Sequence, residues 1–159
     1  MFLFKKNRSL QTLILISGIS TLLVSCSAPR PENLGPSDSH PFLQECPDSP
    51  NCIVTHAFED ESKNYMPPLN FQGDKENSKR ILLRIIETTP GMEIIEQSEN
   101  YLHIEVTSRI FRFIDDLEFY FDEQEELIHY RSASRVGRSD RGSNSKRVER
   151  IRFRYYQRS

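Results

Sequence analysis

The strongest constraint on the fold of this chain is a two-residue alternation of apolar and polar side chains in its second half. Leu102, Ile104 and Val106 fall at every second position, which is typical of a strand with one buried face. By the same criterion we predict strands over residues 93–97, 101–108, 110–122 and 127–135. Short polar connections join these strands, so consecutive strands are expected to pair as an antiparallel meander.

A helix is predicted before the strands. Asp74 can cap it, and Pro90-Gly91 would end it. Its apolar stripe at helical spacing comprises Ile81, Leu82, Ile85 and Ile86. Because the chain has 159 residues, we expect a single small domain of the α+β class. In it, an antiparallel β-meander would pack against one or two helices.

The last segment fits two patterns. Apolar side chains alternate with arginines over residues 150–155, which indicates a strand. Val148 and Ile151, however, also share one face of a helix that Asn144 or Ser145 could cap. Periodicity alone does not decide between the two.

The predicted strand over residues 110–122 places a carboxylate among apolar side chains. One face of this strand would carry Phe111, Phe113, Asp115, Leu117, Phe119 and Phe121. Asp116 and Glu118 would lie on the other face. A buried carboxylate without a partner is unfavourable, so we expect either a partner for Asp115 or a bulge that redirects it.

The N-terminal segment has the pattern of an export signal. Three basic side chains within residues 5–8 precede an apolar run over residues 10–24. This run is shorter than the about 20 residues of a membrane-spanning helix. It ends in Leu-Val-Ser-Cys, which resembles the bacterial lipoprotein box and implies cleavage after Ser25 and a lipid on Cys26. The alternatives are an uncleaved helical anchor or an ordinary signal followed by an unrelated cysteine.

These features divide the chain into three predicted parts: residues 1–25 as a lipoprotein signal peptide, residues 26–45 as a flexible tether and residues 46–159 as the globular domain. The tether is rich in proline, serine and other polar residues, which cannot bury enough surface to fold alone. In lipoproteins generally, a serine after the lipidated cysteine, here Ser27, lacks the aspartate that retains many of them at the inner membrane. The expected location is therefore the cell envelope, at the outer membrane facing the periplasm where the cell has one.

Two further cysteines enclose the stretch Cys46-Pro-Asp-Ser-Pro-Asn-Cys52. Export favours a disulfide between them, which would contribute about 2 kcal/mol by loop closure. Free or redox-active thiols are one alternative. A metal site that includes His56 is another, although the spacing matches no common zinc pattern. No cofactor and no metal are expected.

The domain has an acidic part and a basic part. Residues 87–126 contain 12 acidic side chains and two arginines, whereas residues 131–159 contain ten basic and two acidic side chains. The two parts could pair with each other, or the basic part could bind an anion through arginine side chains. The basic part could also contact an envelope protein. Nucleic acid is not an expected partner, because the chain has export features and a net charge of −2.

Three motifs, in this order, resemble the family called domain of unknown function 1499 (DUF1499). They are residues 46–52, residues 111–119 (Phe-Arg-Phe-Ile-Asp-Asp-Leu-Glu-Phe) and residues 131–152 (beginning Arg-Ser-Ala-Ser-Arg-Val-Gly-Arg-Ser-Asp). The resemblance covers roughly residues 43–155 and implies a helix for the last segment. The chain departs from the family at Arg141 and Ser143, where members typically carry apolar residues. The family has no established activity, so the resemblance implies no reaction.

Ten polar residues of these motifs are the candidate ligand-binding residues: Asp115, Asp116, Glu118, Arg131, Ser132, Ser134, Arg135, Asp140, Asn144 and Arg147. If neighbouring strands bring them together, they could form a structural lock, a pocket for an anionic small molecule, or a hydrolytic site with paired carboxylates. Metal ligation would need a set such as Asp115, Asp116, Glu118 and His129, for which the sequence is weak support.

No Ser-His-Asp signature, glycine-rich phosphate loop or zinc spacing is present, so no catalytic residue is assigned. We expect a lipid-anchored envelope protein with a binding or structural role. Its partners would be the membrane, through the anchor, and an anionic small molecule or an envelope protein. The alternative is an envelope hydrolase acting on an anionic substrate.

Overall fold

The computed structural model describes residues 28–32, 34–36, 43–55 and 63–157. This part of the chain contains six strands and two helices. In chain order the elements are β1 (Cys52–Val54), β2 (Leu69–Asn70), α1 (Lys75–Glu87), β3 (Met92–Gln97), β4 (Tyr101–Thr107), β5 (Ile114–Asp122), β6 (Leu127–Ser134) and α2 (Ser143–Tyr156).

All six strands belong to one antiparallel sheet. The order is β1-β6-β5-β4-β3, and β2 also pairs with β6. The meander from β3 to β6 confirms the prediction, and the fold is a single small domain of the α+β class. The sequence does not predict β1 and β2, because strands of three and two residues are too short to show an alternation.

Helix α1 begins where the sequence predicts. Oδ1 of Asp74 accepts a hydrogen bond from the N–H of Asn77 at 2.7 Å and so caps the helix. Leu82 and Ile85, in the predicted apolar stripe, are fully buried. The helix ends at Glu87, shortly before the predicted stop.

Strand β5 begins at Ile114, several residues after its predicted start. The reason is a turn between β4 and β5. In this turn the N–H of Ser108 donates to the carbonyl of Phe113 at 2.8 Å, and the N–H of Phe113 donates to Oγ of Ser108 at 2.9 Å. Phe111 and Phe113 are therefore not part of the buried apolar row, as the alternation predicts, but are exposed.

Helix α2 shows that the last segment is helical rather than extended. It begins at Ser143, so the prediction that Asn144 or Ser145 caps it is wrong, because both residues lie inside the helix. The N-cap position is occupied by Gly142, which has no side chain with which to cap. Instead, Oδ2 of Asp140 accepts a hydrogen bond from the N–H of Asn144 at 2.7 Å.

The apolar core lies between the two helices and one face of the sheet, which we call the helix face. Buried side chains on this face include Leu102, Ile104, Leu117, Phe119 and Phe121, and they pack with α1 and α2 in one cluster. The other side we call the polar face. Residues 28–32 and 34–36 run along it, since Arg30 lies 3.6 Å from Glu105 and the N–H of Gly35 donates to Glu118 at 2.7 Å.

A disulfide joins Cys46 to Cys52, with the two Cα atoms 5.6 Å apart, as predicted. Cys52 lies in β1 opposite Ala133, so the disulfide ties the preceding segment to the edge of the sheet. His56, the predicted signal peptide and Cys26 lie outside the described residues. Within the described residues, no helix has the length and apolar character needed to cross a membrane.

Candidate functional site

The ten candidate residues do not form one cluster, because they lie on both faces of the sheet. Successive side chains of a strand point to opposite faces, so Asp115 faces the helices whereas Asp116 faces away from them. Asp115 is paired in register with Ser134, which places Ser134 on the helix face. Arg131, by contrast, is opposite Glu118 on the polar face. The hypothesis of one convergent site is therefore corrected to two clusters.

The helix-face cluster is centred on Asn144, which is fully buried. Its side-chain oxygen accepts hydrogen bonds from Ser132, at 2.6 Å, and from Arg147. Its amide donates to the carbonyl of Asn51 at 3.0 Å and to Oγ of Ser134 at 3.1 Å. Asn144 therefore ties α2 to β6 and to the residue just before β1.

Asp115, the predicted carboxylate in the apolar row, has Arg147 as its partner. Nη2 of Arg147 lies 2.5 Å from Oδ2 of Asp115, and each residue is 8% exposed. Nη1 of Arg147 donates to Oγ of Ser132 at 2.8 Å. The strand pairing of β5 is continuous through Asp115 on both sides, so a salt bridge, and not a bulge, satisfies the carboxylate.

Asp140 contributes to the same cluster from the loop before α2. Its Oδ2 accepts from the side-chain amide of Asn144 at 2.8 Å, and its Oδ1 accepts from the N–H of Gly142 at 2.9 Å. Arg141 and Ser143, where the resemblance leads one to expect apolar residues, are both exposed beside it. Thus Asp140 holds the loop and the first turn of α2 in place.

Asn51 is a member of this cluster that we did not predict. Its side-chain amide donates to the carbonyl of Gly137 at 2.6 Å, and its own carbonyl accepts from the N–H of Ser134 at 3.0 Å. It lies inside the first motif, directly before Cys52, so its position in that motif was the available signal.

The polar-face cluster begins with Asp116, which is 2% exposed. Arg135 binds both carboxylate oxygens, with Nε at 2.9 Å and Nη2 at 2.7 Å, and Nε2 of His103 lies 2.8 Å from Oδ1. Burial alone would raise the pKa of Asp116, but the hydrogen bonds from Arg135 and His103 hold it below its ordinary value. Arg135 also donates to Glu105 at 2.6 Å, and its pKa is raised by these carboxylates.

Glu118 is the second buried carboxylate of the polar face, and it is fully buried. Its Oε1 accepts from the hydroxyl of Tyr101 at 2.8 Å and from the N–H of Gly35, and its Oε2 accepts from Arg131 at 3.1 Å. Burial and the charge of Glu118 raise the pKa of the Tyr101 hydroxyl. Nε of Arg131 is buried and has no hydrogen-bond partner among the described residues.

His103, Tyr101 and Glu105 complete the polar-face cluster, and none of them is among the ten candidates. They alternate with the apolar side chains of β4, so the period of two already places them together on one face. What the alternation does not show is which partners they meet, because that depends on the register between β4 and β5.

Among the described residues, Asp115 and Asp116 do not form a pair of catalytic carboxylates or a metal site. Asp116 and Glu105 do lie close together, but both are bonded to Arg135. Asp115 and Asp116 are on opposite faces, and the His129 ring lies 3.2 Å from the hydroxyl of Thr55. No group of three or more histidine, cysteine, aspartate or glutamate side chains within the described ranges is placed to hold a metal ion.

An open groove runs along the outer surface of α1, but none of the ten candidate residues lines it. Its lining includes Glu76, Arg80, Leu83, Arg84 and Glu87. Because acidic and basic side chains both line it, the groove has no strong preference for an anion. The ten candidates instead bond to other side chains or to backbone groups. Six of them are buried, and Arg131, Ser134, Arg135 and Asp140 are partly buried.

Comparison with known proteins agrees with the three motifs. Neither a curated protein nor a solved structure matches the chain. The sequence model of one family, described as a protein of unknown function (DUF1499), matches residues 42–154, which is well over half of the chain. By this match the chain belongs to the DUF1499 family.

Proposed function

We propose that this chain is a lipid-anchored protein of the cell envelope, attached through Cys26, in which the charged family motifs have a structural role. The basic residues within 5–8, the apolar run over residues 10–24 and the Leu-Val-Ser-Cys ending support the anchor. The location we propose is the outer membrane, facing the periplasm, where the cell has one.

The observation that carries the structural role is that each of the ten candidate residues bonds to another part of the fold. Asp115, Asp116 and Glu118 are each paired with an arginine. These three pairs join the acidic part of the chain to the basic part, so the opposite charges act within the molecule. Removing one partner of a buried pair leaves an uncompensated charge, which gives the motif residues a strong effect on stability.

A hydrolase acting on an anionic substrate has less support. General acid–base chemistry with two carboxylates needs both groups to reach one substrate. Asp115 and Asp116 face opposite sides of the sheet, and both are buried. An anionic ligand that binds Nε or Nη2 of Arg135 would have to displace Asp116 and Glu105, which already accept hydrogen bonds from these two atoms.

The anchor is tested on the full-length chain expressed in a bacterium with lipoprotein processing. Mass spectrometry of the N-terminal peptide should show cleavage before Cys26 and acyl chains on that residue. The matched control is Cys26→Ala, which should retain its leader. A wild-type product with residues 1–25 still present and the sulfur of Cys26 unmodified would refute the proposal.

The structural role is tested by titration with inorganic phosphate. Because the arginines already have carboxylate partners, phosphate should leave the melting temperature of the wild-type protein unchanged. Arg131 is the most informative arginine, since its Nε has no partner among the described residues. A saturable rise in melting temperature that Arg131→Gln abolishes would favour an anion-binding function instead.

A further inference from the structure

The turn between β4 and β5, residues 108–113, exposes large apolar side chains. Ile110 is 80% exposed, Phe111 is 71% exposed and Phe113 is 41% exposed. The rings of Phe111 and Phe113 stack with their centroids 5.6 Å apart. A single exposed apolar residue is ordinary, but a contiguous group of this kind marks an interaction surface.

The backbone holds these side chains outward. Ser108 and Phe113 exchange the two hydrogen bonds that close the turn. Arg112 between them has a φ of 58°, a left-handed conformation that a residue with a side chain adopts only when the surrounding structure requires it. The exposure of Ile110 and Phe111 is thus a property of an ordered turn.

Basic side chains surround the apolar group. Arg109 and Arg112 are exposed within the turn, and no acidic residue occurs in residues 108–113. The loop over residues 136–141 lies at the same end of the sheet, because the N–H of Arg135 donates to the carbonyl of Ile114 at 3.4 Å.

That second loop adds more apolar and basic surface. Val136, Arg138 and Arg141 are exposed, whereas Asp140 is occupied in capping α2. We call the exposed side chains of residues 108–113 and 136–141 the tip surface. It combines aromatic, aliphatic and arginine side chains.

Residues 28–32 and 34–36 reach the sheet from the same end. Arg30 lies beside Glu105, and Gly35 bonds to Glu118. In the register of β4 and β5, Glu105 is opposite Asp116, so it lies two positions closer to the tip surface than Glu118 does. Following the chain backwards from Gly35 to Arg30 therefore leads toward the tip surface.

The distance left to the anchor is short. Cys26 precedes Ala28 by two residues, which span at most about 7 Å of chain. If Cys26 carries the lipid, as the proposed function requires, the tip surface is the end of the domain that lies next to the membrane.

We propose that the tip surface docks on the surface of an anionic lipid bilayer, with Ile110 and Phe111 inserted among the headgroups. Phenylalanine and aliphatic side chains of interfacial segments are buried at the boundary of headgroups and acyl chains, and arginines are attracted to anionic headgroups. The inference rests on the proposed anchor for its geometry. The anchor alone would leave the domain free to rotate, whereas docking fixes its orientation.

The chain contains no tryptophan, so one substitution introduces a unique fluorophore. The test uses the full lipidated protein, carrying Phe111→Trp, in vesicles of phosphatidylglycerol and phosphatidylcholine with brominated acyl chains. The matched control is Phe153→Trp. Phe153 is 65% exposed but lies in the last turns of α2, a helix that starts near the tip surface and runs away from it.

Docking predicts that bromine quenches the emission of the Phe111→Trp variant and shifts it to the blue, whereas the Phe153→Trp variant stays unquenched. Equal quenching of the two variants, or no quenching of Phe111→Trp, would overturn the inference. Quenching of Phe111→Trp that is just as strong in vesicles of phosphatidylcholine alone would overturn the role of the arginines. Ile110→Trp provides a second probe at the same surface.

The experiment distinguishes failure of the anchor proposal from failure of the docking proposal. Mass spectrometry of the same sample reports whether Cys26 is acylated. A lipidated Phe111→Trp protein whose emission is not quenched refutes docking but keeps the anchor. If mass spectrometry shows that Cys26 is not acylated, but the unlipidated Phe111→Trp protein is still quenched when it is added to the vesicles, the anchor is refuted and docking is kept.

Discussion

Removing Asp115 should destabilise the fold strongly, because Arg147 would remain buried without its counter-charge. Both residues are 8% exposed, and the two charged atoms are 2.5 Å apart. Loss of one partner of a buried ion pair typically costs about 3–5 kcal/mol. Arg147 keeps its hydrogen bond to Ser132, so we expect about 3 kcal/mol for Asp115→Leu. In a domain of this size that corresponds to a melting temperature lowered by roughly 10 °C.

The assay is a double-mutant cycle measured by urea unfolding. Asp115→Leu and Arg147→Met each leave one unpaired charge, whereas the double variant leaves none. Because a buried pair replaced by apolar side chains is often neutral in stability, the double variant should be more stable than either single variant.

Lys75 and Glu123 provide the matched control, since their charged atoms are also close, at 2.6 Å, but the Glu123 side chain is 55% exposed. Glu123→Gln should lower the free energy of unfolding by less than about 1 kcal/mol, because exposed ion pairs contribute little to stability. If Asp115→Leu costs no more than this control, or if the two single costs simply add in the double variant, the buried pair does not have the structural role proposed for it.

Three further predictions concern other parts of the fold. Reduction of the Cys46–Cys52 disulfide should lower the free energy of unfolding by about 2 kcal/mol, measured by urea denaturation with and without reductant. Asp140→Ala should lower the free energy of unfolding by about 1 kcal/mol in the same assay through loss of the α2 cap, whereas Asp140→Asn, which keeps one acceptor oxygen, should lower it less. Since the folded pKa of Asp116 lies below its unfolded value, its contribution to stability should be complete above about pH 4 and lost as pH falls through the folded pKa. Asp116→Asn should weaken this dependence of stability on pH. An identical pH profile for the variant and the wild type would contradict the contribution assigned to Asp116.

The meander and α1 could be predicted because their signals are local. The alternation of Leu102, Ile104 and Val106 and the capped stripe after Asp74 each lie within a few residues of sequence. The start of β5 could not be predicted in this way. Phe111 and Phe113 continue the alternation, and only the hydrogen bonds of Ser108 show that the chain turns there.

The motifs indicated ten residues of the two clusters, but they did not show how these residues are arranged, and Asn51, Tyr101, His103 and Glu105 were not predicted. The period of two separates Asp115 from Asp116, but it does not say which β6 residues share their faces. That depends on the register, in which Asp115 is opposite Ser134. Contacts such as that of Gly35 with Glu118, 83 residues apart in sequence, have no local signal at all. Periodicity alone could not predict the final helix either. The residue that caps it, Asp140, lies three positions before its first residue, Ser143.

The burial of the motif residues bears on where a partner can bind. For an anion to bind Nε or Nη2 of Arg135, it would have to replace the bonds to Asp116 and Glu105, and each hydrogen bond to a charged group contributes about 1.5–3 kcal/mol. The displaced carboxylate of Asp116 would then be buried without a counter-charge, which adds a further cost. A ligand at the tip surface has no such cost, because Ile110 and Phe111 are already exposed and gain from being covered. Binding by this domain is therefore expected at its exposed loops, with the buried charge pairs fixing the position of those loops.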